Sequence, residues 1–155
     1  MRFFLLILAW TICLPAQACG AFSLKHRLAS ELFSDTDMRL FVCGSDKYSI
    51  DRFYRGLKFR AYSEPFRDGT LNICLVDPIK TARNSYTGVF AGLRKSIRFQ
   101  LISFGTGVGI GHDGGGVPVL IEHDAYDPSI GRRSGALYVW DGTDFVFERE
   151  FDADQ

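Results

Sequence analysis

From Ala136 the chain reads Ala-Leu-Tyr-Val-Trp, breaks at Asp141-Gly142-Thr143-Asp144, and resumes as Phe-Val-Phe-Glu-Arg-Glu-Phe up to Phe151. Two runs of aromatic and β-branched residues around a short polar turn predict a β-hairpin. A turn this tight joins only antiparallel strands, so the pair commits this part of the chain to an antiparallel sheet. Further apolar runs predict strands over 39–43, 71–76, 96–104 and 117–122, with turn signals at Asp68-Gly69 and Asp77-Pro78. Ile50, Phe53, Tyr54 and Leu57 suit a short helix that passes into an alternating strand over 57–62, whereas 79–93 carries few signals. Leu24, Leu28, Leu32 and Phe33 recur at helical spacing with Lys25, Arg27 and Glu31 between them, which predicts an amphipathic helix over 22–34.

The expected class is α+β, mainly antiparallel sheet with an N-terminal amphipathic helix. No linker or repeat divides the chain, so a single domain is expected over 19–155. A hydrophobic fraction of 46% with balanced charge excludes a disordered, collagenous or coiled-coil chain.

Residues 1–18 read as a secretory signal peptide. Arg2 precedes an apolar run of about 12 residues, short of the ~20 that span a bilayer, and Ala16-Gln17-Ala18 suits signal peptidase. The expected location is therefore periplasmic or secreted, an oxidising compartment. Cys19, Cys43 and Cys74 remain after cleavage. Cys43 and Cys74 each fall in an expected buried strand, which predicts a disulfide between them. The leftover Cys19 follows the cleavage triplet directly and is a candidate lipidation site, the one route by which a membrane would become a partner.

The zero formal charge is a cancellation. Residues 47–100 contain eleven Lys and Arg against four acids, and residues 113–155 contain ten acids against three Arg. Phe53, Tyr54, Phe59, Tyr62 and Phe66 interleave the basic stretch, and Arg52, Arg55, Lys58 and Arg60 form the candidate binding face. Export points away from nucleic acid and toward a protein or an anionic envelope polymer. The competing expectation is that these charges pair with the acidic end and the aromatics fill the core.

Seven of the twelve residues from Gly105 to Gly116 are glycine, and Gly109-x-Gly111-x-x-Gly114 matches a dinucleotide fingerprint. That fingerprint acts by opening a helix whose amides face the phosphates, and here a strand follows, so the expected role is a bulged or flexible connection. Phe104-Gly105, the apolar run 117–122 and the closing Gly135-Ala136-Leu137-Tyr138-Val139 together resemble one FG-GAP repeat, the integrin-type propeller blade. The resemblance implies three consecutive antiparallel strands and a calcium loop, of whose acidic ligands this sequence retains Asp113.

His112-Asp113 and His123-Asp124 form an echo that predicts, as a second functional reading, a divalent metal held by two imidazoles and two carboxylates. Ordinary turn and cap roles compete with it. No Gly-x-Ser-x-Gly occurs, Ser134 has only polar neighbours in sequence, and a Cys74–His123 pair competes with oxidation of Cys74. The expected function is a small, non-catalytic exported binding protein of the inhibitor, immunity or envelope-associated type, with no cofactor. A metal-dependent hydrolase or metal-binding protein is the alternative.

Overall fold

Turn and cap residues divide the computed structural model, which describes residues 21–44, 49–80, 84–94, 96–124 and 134–152, into three short helices followed by seven strands. The expected signal segment, Cys19 and the 125–133 connection lie outside the described residues. The helices are α1 (Phe22–Phe33), α2 (Thr36–Cys43) and α3 (Ile50–Arg55). The strands are β1 (Leu57–Phe66), β2 (Gly69–Pro78), β3 (Ser85–Leu93), β4 (Arg98–His112), β5 (Pro118–Asp124), β6 (Ser134–Trp140) and β7 (Phe145–Asp152). They form one antiparallel sheet in chain order, each strand paired with the next.

The expected strand over 39–43 is instead the second half of α2. Asp35 caps that helix by accepting the Met38 N–H at 2.8 Å, and Gly44, at φ +70, closes it in the left-handed conformation. Both cap signals are local, and they outweigh the β-propensity of Leu40, Phe41 and Val42. The weakly marked 79–93 stretch contains β3, interrupted in sequence by Gly88. A Cβ there would lie 2.6 Å from Leu32 Cδ2, so the glycine marks where α1 packs directly on the strand.

The sheet has an apolar cluster on each face, which is why β2 is buried from Leu71 to Pro78 and reads as a continuous rather than alternating run. Cys74 and Val76 join Phe90 and Ile97 under Leu28, Ala29 and Leu32 of α1, Met38 of α2 and Phe53 of α3. On the other face Leu71, Ile73 and Leu75 join Phe66 from β1 with Val108, Leu120, Trp140 and Phe145 from β4–β7. One cluster spanning β1 to β7 requires the sheet to curl, bringing Glu64 of β1 within 3.2 Å of His112 of β4. Two bulges, between Val89 and Phe90 and between Gly105 and Gly107, supply local bends.

Candidate binding cleft

Val42 and Cys43 at the end of α2, Arg52, Arg55 and Gly56 around α3, and Pro78, Ile79 and Lys80 at the end of β2 surround an open cleft of about 520 Å³. The geometry follows from local sequence. α3 is capped by Ser49, whose Oγ accepts from Arg52 N, and Gly56 ends it. The Ile79 N–H donates to the Gly56 carbonyl at 2.7 Å, tying the β2 exit to the α3 exit. Arg52 and Arg55, three apart on α3, both border the space. Arg55 Nε donates to the Asp51 carbonyl at 3.3 Å. Among the described residues no carboxylate lines the space, and Ile79 is 56% exposed beside the three cations. Such a wall suits a ligand that presents an anionic group next to an apolar one.

Cys43 carries a free thiol in this cleft. Burial pushes it above the ordinary thiol range, and the Arg52 and Arg39 cations draw it part of the way back. The expected Cys43–Cys74 disulfide is therefore absent. Cys43 lies at the Pro78 end of β2, four residues beyond Cys74 or about 13 Å along an extended strand, whereas a disulfide needs Cα atoms within about 7 Å.

The basic face expected from Arg52, Arg55, Lys58 and Arg60 is divided. Leu57 and Phe59 face the helices, so Lys58 and Arg60 project from the opposite side of β1. Arg60 is also engaged: Nε and Nη2 donate to the two oxygens of Asp77 at 2.7 and 3.1 Å, and Nη1 donates to the Tyr62 hydroxyl at 3.1 Å. The hydrogen bond to Asp77 leads the causes that hold its guanidinium above its usual range, against the opposing effect of burial. Lys80 and Cys43 take the places of Lys58 and Arg60 in the cleft. The Asp77-Pro78-Ile79-Lys80 stretch reads in sequence only as a strand stop, so nothing local marks Lys80.

The His112, Asp113, His123 and Asp124 set is not brought together. His112 opposes Pro118 at the turn end of the β4–β5 hairpin, and His123 opposes Gly107 at the far end. Five residues of strand separate the two rows by about 17 Å. They also face opposite ways: His112 reaches Glu64 across the curled face, and His123 stacks edge-on with Phe151 at 5.9 Å. Asp113 Oδ1 accepts the Gly115 and Val117 N–H groups at 2.8 Å each, a turn role, and Asp124 accepts the Ser134 hydroxyl at 2.6 Å. Among the described residues no group of three or more His, Cys, Asp or Glu is placed to hold a metal.

Fold and cleft together define a curled, seven-stranded antiparallel meander with helices on one face and a basic cleft where two helix ends meet a strand end. Comparison with known proteins finds no matching family model, curated protein or solved structure.

Proposed function

We propose that this chain is a small exported binding protein, one α+β domain, whose cleft holds an anionic group of a protein or envelope-polymer partner. The observation that carries the reading is the convergence of Arg52, Arg55 and Lys80 on one open cleft beside the exposed Ile79. Each cation near a surface contributes under about 1 kcal/mol alone, and a cluster aimed at one anion contributes more. Ile79 adds apolar contact beside the charges. The cleft is built from residues 42–80, outside the FG-GAP-like stretch, so the reading does not draw on that resemblance.

Retention on immobilised poly-glutamate and on a poly(glycerol phosphate) polymer tests it, with salt as the variable. The wild-type protein is expected to be retained at low salt and released as ionic strength rises, because exposed ion pairs are screened. The double reversal Arg52→Glu, Arg55→Glu abolishes retention on both matrices, whereas Lys58→Glu, on the other side of β1, keeps most of it. Equal loss from the two variants, or retention unaffected by the double reversal, defeats the reading.

A further inference from the structure

The helix layer packs on β1, β2 and β3 through Leu57, Cys74, Val76 and Phe90. At its margin Leu32 of α1 sits on Gly88 of β3, whose register partner on β4 is Ile102. On the same face of β4, Phe99 pairs with Phe90 and Phe104 with Tyr86, yet Phe99 is 43% and Phe104 46% exposed, so the layer ends short of this strand. Phe99 meets Phe90 edge-on at 5.6 Å between ring centroids. Phe104 meets Tyr86 at 4.6 Å, and Tyr86 meets Phe41 of α2 at 5.3 Å. Glu31 and Ser34 at the end of α1 and Asp35 ahead of α2 complete, with Phe99 and Ile102, an open groove of about 470 Å³.

Exposed aromatics in a row on one sheet face mark an interaction surface, and charge decides what fits it. Glu31 and Asp35 line the groove. Burial first, then the carboxylates of Asp37 and Asp35, push the Tyr86 phenol above its ordinary range, so the field of both acids reaches the aromatic row. The neighbouring cations are engaged: Arg39 donates to the Phe33 carbonyl at 3.0 Å and lies over the Phe33 ring, and Arg27 donates to the Ile97 carbonyl at 2.8 Å with its Nε 4.0 Å from Glu31. Such a rim repels anionic lipid and anionic polymer. We propose that the groove docks a short apolar segment of a partner protein that carries Lys or Arg. Its aromatic or aliphatic side chain lies on Phe99, Ile102 and Phe104, and its cation sits beside Glu31 and Asp35. The inference is independent of the basic cleft, which lies at the other end of α2. Asp35 caps the start of that helix, and Val42 and Cys43 line the cleft at its end, about 12 Å further on. One short helix thus separates two docking surfaces of opposite sign.

The experiment titrates the isotope-labelled protein with the end-blocked peptide Lys-Phe-Gly-Leu-Lys-Lys, reading amide chemical shifts by NMR, with Glu-Phe-Gly-Leu-Glu-Glu as the charge-reversed control. Expected are saturable shifts confined to residues 31–37, 86 and 99–104 with the lysine peptide, and none with the glutamate peptide. The double variant Phe99→Ser, Phe104→Ser lowers affinity at least about tenfold. Glu31→Lys, Asp37→Lys, at two exposed positions, does the same, and Asp35 is left intact because it caps α2. Glu148→Lys, an exposed reversal on β7, keeps the wild-type affinity. Unchanged shifts outside the groove establish that each variant is folded. The proposal is overturned by absent shifts at about 5 mM peptide, by shifts centred elsewhere, by equal response to the two peptides, by wild-type affinity in either groove variant, or by an equal loss in Glu148→Lys. Sedimentation of the free protein tests for a second copy as occupant: self-association that Phe99→Ser, Phe104→Ser abolishes gives the groove to a dimer and overturns the proposal as well.

Discussion

The guanidinium of Arg60 lies against a carboxylate that is only 6% exposed, and the same Asp77 Oδ1 also accepts the Thr87 hydroxyl at 2.8 Å. Removing one partner of a buried pair leaves the other charge desolvated and uncompensated. Arg60 is partly exposed, which moderates that cost. Asp77→Ala is expected to lower stability by about 2 kcal/mol, seen as a reduced urea midpoint at neutral pH, and an unchanged midpoint would show the pair to be solvated. Tyr138 carries a second residue-scale consequence. Burial, followed by its 3.0 Å hydrogen bond to Glu122 Oε2, pushes its phenol up to about 12. A folded-state value above the unfolded one favours the protonated form on folding. The stability it contributes is thus complete below about pH 10 and is lost as pH rises toward 12. Denaturation midpoints measured between pH 9 and 12 are expected to fall in that window for the wild-type protein and to fall less in Tyr138→Phe.

Elements were legible where one period dominates the sequence and obscure where two signals compete. The hairpin β6–β7 and the strand β5 show alternating or continuous apolar runs bounded by turn residues, and those signals survive in the fold. Residues 39–43 look like a strand in isolation, but Asp35 and Gly44 supply helix caps at both ends, and two caps within ten residues decide the local structure. β3 was hidden because Gly88 replaces the side chain that would have shown its period, and the reason for that glycine is Leu32, in contact in the fold but 56 residues away in the sequence. The glycines of β4 serve a related purpose. A Cβ on Gly105 would lie 2.0 Å from the His123 carbonyl oxygen, a backbone atom that can yield only by moving β5 at the bulge. On Gly109 it would meet nothing closer than 4.0 Å. Gly105→Ala is therefore expected to cost about 2 kcal/mol or more, and Gly109→Ala less than about 0.5 kcal/mol. Similar urea midpoints for the two variants would refute the close-approach account.

On the scale of the whole molecule, the charge segregation of the sequence is only partly resolved by folding. Arg98 of the basic stretch meets Asp144 of the acidic end at 2.8 Å and donates to the Thr143 carbonyl at the same distance. Arg60 instead finds Asp77 within its own stretch. Arg52 and Arg55 end at a cleft with Lys80, a residue that no spacing in the sequence associates with them. Half of the candidate binding face was thus visible in the sequence, through the density of Arg on a short helix. The other half was not, because the face on which a strand residue projects depends on what packs against each side of the sheet. The His112 and His123 echo fails for the same kind of reason. Equal dipeptides on a hairpin look adjacent in sequence but sit at its two ends, and a single residue of register sends them to opposite faces. The sequence alone determined the antiparallel character of the sheet, because hairpin turns and two-residue periodicity are local properties of the chain. Only the tertiary structure decided which cations share a cleft, that Cys43 stays a thiol, and how the sheet buries both faces, because those outcomes depend on which distant segments curl against one another.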